Sequence, residues 1–144
     1  FAPGSTLVIK KNILKIIGGY NLRYKRIEDW ELFIRLLSSD FKVGYMQVCT
    51  TKIYSSNSFT INNLEFHCKM LLNESKERLN FINDKYYNYL KAGIYFELSA
   101  SCWKTRNRLK CFIYLIKSIY TEPYNNISIK IILLPWLKNK LKFN

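Results

Sequence analysis

The chain has 144 residues, one domain of ordinary size, and its hydrophobic fraction of 49% supports a packed core and excludes global disorder. Five glycines and three prolines exclude collagen-like and low-complexity classes. A net charge of +13 says little about the fold, but it predicts attraction to anions such as phosphates, nucleic acid or acidic lipid surfaces.

Short strands and helices alternate in the pattern of the first 60 residues. Gly18 and Gly19 predict the end of the first helix, because glycine adopts the left-handed conformation found at helix C-termini. The predicted elements are a strand over residues 6–9, a helix over 10–17, a basic loop over 20–27, a helix from about 28, and strands over 41–48 and 50–54.

The clearest helix of the chain follows the basic loop. Its apolar residues at positions i, i+3, i+4 and i+7 predict one buried stripe: Trp30, Phe33, Ile34 and Leu37. Glu31 and Arg35 form an i, i+4 pair that we place on the other side of the helix. Glu28 and Asp29 stand at the N-terminus, where the helix dipole favours negative charge.

The second part of the chain, residues 61–144, is predicted to be wholly helical. Apolar spacing indicates helices over residues 64–82, 85–101, 109–120 and 127–134. Pro123 ends the third of these helices, and Pro135 breaks the chain before Trp136. The pattern is typical of an array of helical hairpins.

Four cysteines are present, and their spacing does not indicate a metal site. No two of them form a Cys-x-x-Cys pair, and the only histidine, His67, is adjacent to Cys68 and so points in a different direction on a helix. We therefore expect no metal ligands here. Buried thiols in a reducing compartment explain Cys49, Cys68, Cys102 and Cys111.

Three stretches of the first part resemble family 2 glycosyltransferases when they are taken together. They read GSTLVIKK at residues 4–11, IGGYN at 17–21 and RIEDWELFIRL at 26–36. In that family a small-residue strand, a Gly-Gly-aromatic turn and a Glu-Asp helix ending in Arg-Leu occur in this order. The resemblance implies an α/β fold: residues 1–60 as the acceptor-side, C-terminal part of a GT-A (nucleotide-diphospho-sugar transferase) domain, and residues 61–144 as an all-helical C-terminal extension.

The resemblance also implies an inverting sugar transfer in the intact protein, in surface polysaccharide synthesis. A nucleotide-sugar, such as a UDP-sugar, gives its sugar to a hydroxyl on a saccharide or lipid-linked acceptor. Asp29 matches the catalytic base that removes the acceptor proton. Substrate contacts are implied for Glu28, Trp30, Gly19 and Ser5, although the helix C-cap explains Gly19 and core packing explains Trp30 equally well.

The donor-binding part of that family is not found in this sequence. The family holds a divalent ion, Mg²⁺ or Mn²⁺, with an Asp-x-Asp motif, whereas the only aspartates here are Asp29, Asp40 and Asp84. We therefore expect the metal ligands to lie outside this chain. We also expect the chain to be an N-terminally truncated piece that is inactive alone.

The end of the chain carries much of the positive charge. Residues 104–144 have a net charge of +8, and apolar side chains interleave with lysines from Lys130 to Phe143. Two interpretations of this segment stay open: a segment lying on the cytoplasmic face of the cell membrane, or an ordinary helix with a solvated lysine face.

Nucleic-acid binding is not expected, because no recognised motif is present. The alternative to an enzyme is a non-enzymatic basic helical module that binds a membrane surface or a protein partner.

Overall fold

The computed structural model describes residues 7–39, 41–44, 60–82 and 84–122 and contains five α-helices in these residues. The chain divides into two compact units, Phe1–Ile82 and Asn83–Asn144. The helices are α1 (Lys11–Ile16), α2 (Glu28–Leu37) and α3 (Ile61–Ile82) in the first unit, and α4 (Asp84–Lys104) and α5 (Arg108–Thr121) in the second.

The predicted α/β fold class, with a GT-A domain part, is wrong for this structure. The described residues contain helices and no strand: residues 7–9 and 41–44, which fall in two predicted strands, pair with no other segment. Apolar, β-branched residues such as Val8 and Ile9 favour strands only where a neighbouring strand accepts their backbone hydrogen bonds. The predicted strand over 50–54 and residues 45–48 lie outside the described residues.

The helix predictions are confirmed wherever the structure describes the residues. α1 to α5 match the predicted helices within a few residues at each end, and α5 ends at Thr121, two residues before Pro123. The predicted helix over 127–134 lies outside the described residues. The predicted domain boundary between residues 60 and 61 stays a prediction.

The end of α1 shows why two glycines follow it. The amide of Gly19 donates to the carbonyl of Leu14 (2.9 Å) and that of Gly18 to the carbonyl of Lys15 (3.2 Å), which is the hydrogen-bond pattern of a Schellman motif. Both glycines have positive φ, 79° and 70°. A Cβ atom on either glycine would meet nothing within 4 Å, so the backbone conformation and not the available space requires glycine.

The buried face of α2 differs from the predicted stripe. Leu32, Ile34 and Leu36 are buried together with Glu31, whereas Trp30 and Phe33 are half-buried and Leu37 is 45% exposed. Successive residues of a helix are rotated by about 100° around its axis. The buried side of α2 extends from Ile34 through Glu31 to Leu36, and its centre lies roughly opposite the centre of the predicted stripe. The stripe prediction was therefore wrong for three of its four members.

In the first unit, α3 contributes a long apolar face to the core. The residues buried along this face recur every three or four positions: Leu64, Cys68, Leu71, Ser75 and Leu79. His67 is buried beside them, with its ring 6.1 Å from that of Tyr24 and 5.3 Å from that of Phe66, measured between centroids. Among the residues that the structure describes, its Nδ1 atom finds no hydrogen-bond partner.

The second unit is a hairpin of α4 and α5 whose helices meet through small side chains. Ser118 donates its hydroxyl to the carbonyl of Ala92 (2.8 Å), and Ser99 donates to the carbonyl of Cys111 (3.0 Å). All four residues are buried. Hydrogen bonds from side chains to the backbone of the opposite helix require close approach, which small residues allow.

Replacing Gly18 with alanine should lower the free energy of unfolding of the first unit by about 1–2 kcal/mol, because alanine pays the left-handed backbone penalty. Gly93, in the middle of α4, is the matched control: its Cβ would also meet nothing within 4 Å and its φ is not in the positive range. Gly93→Ala should stabilise by up to about 1 kcal/mol. Urea unfolding measures both changes, and a neutral Gly18→Ala would contradict the assignment.

Candidate functional site

The centre of the candidate site is the ion pair between Arg35 and Glu31, which is buried in the first unit. The Nε atom of Arg35 donates to one carboxylate oxygen of Glu31 (2.7 Å), and its Nη2 atom donates to the other (2.8 Å). The side chains are only 16% and 7% exposed. This two-point geometry between guanidinium and carboxylate is the strongest form of such a pair.

The same guanidinium also holds the glycine turn that follows α1. Arg35 donates through Nη1 to the carbonyl of Ile17 and through Nη2 to the carbonyl of Gly19 (2.6 Å). Arg35 therefore joins the glycine turn to the last turn of α2. The predicted i, i+4 pair is confirmed, and the structure places it on the buried side of α2, next to Leu32 and Leu36.

The predicted catalytic residue, Asp29, lies in the first turn of α2, whereas Arg35 lies in the last turn. Asp29 is half-buried in the first turn, and its Oδ1 atom accepts a hydrogen bond from the amide of Trp30 (2.9 Å). Asp29 lies on the same side of α2 as Phe33, and it is separated from Arg35 by about 9 Å along the helix axis. The Asp29 side chain is therefore not part of the buried ion pair.

The residue before this turn has an unusual backbone. Ile27, at the N-cap of α2, has φ 55° and ψ 24°, the left-handed conformation, and provides no side-chain cap. A β-branched residue is rarely found there, and the conformation costs about 1–2 kcal/mol. Glu28 and Asp29 therefore directly follow a residue with a strained backbone. Strained backbone conformations are concentrated at functional sites in proteins.

The other predicted site residues are placed as follows. Glu28 is exposed, Trp30 is half-buried, and Gly19 is half-buried with its carbonyl bound to Arg35. Ser5 lies outside the described residues. The structure therefore brings Gly19 and α2 together, and the roles of Asp29, Glu28, Trp30, Gly19 and Ser5 in binding or catalysis stay predictions.

A second polar contact joins the basic loop to α3. The hydroxyl of Tyr24 donates to the Glu74 carboxylate (2.9 Å), and Arg23 forms an ion pair with the same carboxylate (3.1 Å). Burial of the hydroxyl, and next its hydrogen bond to Glu74, raise the pKa of Tyr24 above its ordinary value of 10.0. The sequence identified this loop as basic but not its contact with α3, which joins residues 50 positions apart.

A small cleft lies between α2 and α3 beside these contacts. It is lined by Glu31, Ile34, Arg35, Leu71, Glu74, Ser75 and Arg78, and its volume is about 10 Å³. A cavity of this size holds one water molecule at most, whereas pockets for small molecules measure about 300–1,000 Å³. An acceptor or donor sugar would therefore bind elsewhere.

The described residues do not provide a metal site. Among them, no group of three or more His, Cys, Asp or Glu side chains is placed to hold an ion. Cys68, Cys102 and Cys111 are buried as thiols, and Cys49 lies outside the described part of the chain. The residues here therefore do not fit the divalent ion implied by the resemblance, and we assign it no role in this chain.

Comparison with known proteins adds no further support. No family model matches the chain, and no curated protein or solved structure shows significant similarity to it. The resemblance to family 2 glycosyltransferases therefore rests on the sequence motifs alone.

Replacing Arg35 with methionine should lower the free energy of unfolding by about 3–5 kcal/mol, because it leaves the Glu31 carboxylate buried without its partner. Arg23→Met is the matched control. Its ion pair with Glu74 is exposed, at 69% for Arg23 and 35% for Glu74, so the loss should be about 1 kcal/mol or less. Equal losses in chemical denaturation would show that the Arg35 contacts are not what stabilises the unit.

Replacing Tyr24 with phenylalanine should lower the free energy of unfolding near neutral pH by about 1.5–3 kcal/mol, the typical contribution of a hydrogen bond to a charged group. The raised pKa means that the folded state keeps the phenolic proton at a pH where the unfolded chain loses it. The advantage of the wild type is therefore complete below pH 10.0 and shrinks as the pH rises towards the folded-state pKa.

The test is urea unfolding of the wild type and Tyr24→Phe at neutral pH and above pH 10.0. The exposed Tyr86 supplies the control variant, Tyr86→Phe. A stability difference between wild type and Tyr24→Phe that stayed constant with pH would refute the proposed protonation behaviour.

Proposed function

We propose that the intact protein transfers a sugar from a nucleotide-sugar, such as a UDP-sugar, to a hydroxyl of a saccharide or lipid-linked acceptor with inversion, as family 2 glycosyltransferases do. The observation that carries the proposal is the Arg35 guanidinium. It joins the Gly18–Gly19 turn to the Glu28–Asp29 helix through hydrogen bonds to Gly19 and Glu31. These are two of the stretches on which the resemblance rests, and here one side chain connects them.

A catalytic base must be held on a rigid element, because displacements of about 0.5 Å already reduce its efficiency. The buried ion pair and the Schellman motif supply such rigidity at the middle of α2 and at the turn. The strain at Ile27 gives a second argument, since a costly backbone conformation persists only where the surroundings hold it in place.

In this proposal Asp29 accepts the proton of the acceptor hydroxyl while that oxygen attacks the anomeric carbon. The bond from that carbon to the diphosphate breaks as the new bond forms on the opposite face, so the configuration inverts. Glu28, exposed beside Asp29, is proposed to bind the acceptor, and the half-buried Trp30 to form an apolar wall. The donor is proposed to bind to residues beyond this chain, since no Asp-x-Asp occurs in its 144 residues.

Asp29→Asn should reduce transfer by about 10²–10⁴-fold, the usual contribution of a general base, and leave nucleotide binding unchanged. Asparagine keeps the Oδ1 atom that accepts from the Trp30 amide, so the helix start should survive. The matched control is Asp84→Asn, which removes an exposed acid from the first turn of another helix, α4.

The assay uses the intact protein with Mg²⁺ or Mn²⁺ and a set of UDP-sugars, and measures release of UDP with saccharide or membrane-lipid acceptors. Binding of UDP is measured separately by calorimetry. Full turnover in Asp29→Asn would remove Asp29 as the base. Failure of the wild type to bind UDP or turn over any sugar would favour the non-enzymatic basic module instead.

A further inference from the structure

The outward face of α5 is apolar. Leu109 is 75% exposed, Phe112 65% and Tyr120 87%, and Ile113 and Ile116 between them are also exposed. The spacing of these five residues is the one that predicted the helix over 109–120, and such a stripe ordinarily packs on a core, but here it is exposed. At 1.5 Å per residue, the exposed apolar face is about 16 Å long.

The opposite face of α5 explains this orientation. Cys111 and Ser118 lie there, buried against α4, and both take part in hydrogen bonds between the helices. A larger apolar side chain at either position would separate the helices and break these bonds. Small residues therefore allow the helices to approach closely, Tyr114 packs beside them on Tyr95 of α4, and five other large apolar residues of α5 are exposed.

Cations flank the apolar face on both sides. With Leu109 at the centre of the face, the helical rotation of about 100° per residue puts Lys110 and Lys117 on one edge and Arg108 on the other. Residues 104–121 contain five Lys or Arg and no acidic residue. The Arg108 guanidinium lies 3.7 Å above the ring of Trp103, a side chain that is itself 52% exposed.

We propose that this face of α5, defined by Leu109, Phe112, Ile113, Ile116 and Tyr120, docks onto the surface of an anionic lipid bilayer. An apolar helix face bordered by Lys and Arg, with aromatic residues among its members, is the arrangement of helices that lie in the membrane interface. The apolar side chains enter the acyl boundary, and the flanking cations contact lipid phosphates. Among the described residues no helix is long and apolar enough to cross a membrane, and this docking requires none.

Charge favours a bilayer over a second copy of the chain. A symmetric pair of α5 faces would bring Arg108, Lys110 and Lys117 of both copies to the same seam, with no acid on α5 to oppose them. Nucleic acid would pair with the cations but would leave the large apolar face in water. A bilayer with acidic headgroups satisfies both features of the surface. This inference is independent of the proposed sugar transfer.

The test is co-sedimentation of the full chain with vesicles of phosphatidylcholine alone and with vesicles of equal parts phosphatidylcholine and phosphatidylglycerol. We expect binding to the anionic vesicles, weakened by high salt. Phe112→Gln should reduce the partition about tenfold or more, whereas Phe66→Gln should leave it unchanged. Phe66 is the matched control, because it is 63% exposed on α3.

A second pair of variants tests the cations. Lys110→Gln with Lys117→Gln should reduce binding to anionic vesicles about 30-fold, since each cation near such a surface contributes about 1 kcal/mol. Lys69→Gln with Lys76→Gln removes the same charge from exposed positions on α3 and should have a much smaller effect.

Four outcomes would overturn the proposal. The first is no binding of the full chain to anionic vesicles, and the second is an equal loss of binding in Phe112→Gln and Phe66→Gln. The third is a dimer in sedimentation velocity that Phe112→Gln dissociates, which would assign the face to a second copy. The fourth is a melting temperature of Phe112→Gln without vesicles that is well below that of Phe66→Gln, which would show that the chain itself covers the face.

Discussion

The first unit depends on one guanidinium group. Arg35 satisfies the Glu31 carboxylate at two points and also binds the carbonyls of Ile17 and Gly19, so a single side chain fixes an ion pair and a turn. Removing these groups from water is costly, and the cost is offset only because the geometry is complete. The arrangement holds the glycine turn that follows α1 against the buried face of α2.

The sequence predicted the helices well, because their apolar spacing and their glycine or proline ends are local signals. It failed where the outcome depends on partners distant in the chain. Val8, Ile9 and Val43 have strand propensity, but no ladder forms in the part of the chain that the structure describes. For α2, the stripe of Trp30, Phe33, Ile34 and Leu37 was as regular as the face that is buried. Local periodicity could not show that Arg35 would bind a turn 16 residues earlier.

In the candidate site, too, local features could be predicted from the sequence and contacts between distant residues could not. The position of Asp29 at a helix start and the Gly18–Gly19 turn could be predicted from the sequence. Their connection through Arg35 could not, and neither could the strained Ile27. In the second unit, the most apolar side of α5 is exposed, and the side that packs on α4 carries the hydrogen bonds of Ser99 and Ser118. A prediction that assumes the most apolar face of a helix to be the buried one therefore selects the wrong side of α5 and misses its exposed apolar surface.

The most direct test of the account is amide hydrogen exchange of Gly19 in the wild type and in Arg35→Lys, measured by NMR relative to the amide of Leu71 in α3. Lysine can keep the charge pair with Glu31 but cannot reach both carbonyls of the turn. The account predicts that the Gly19 amide, bound to the Leu14 carbonyl, exchanges several-fold faster in the variant while Leu71 changes less. Unchanged protection of Gly19 would contradict the claim that Arg35 holds the turn.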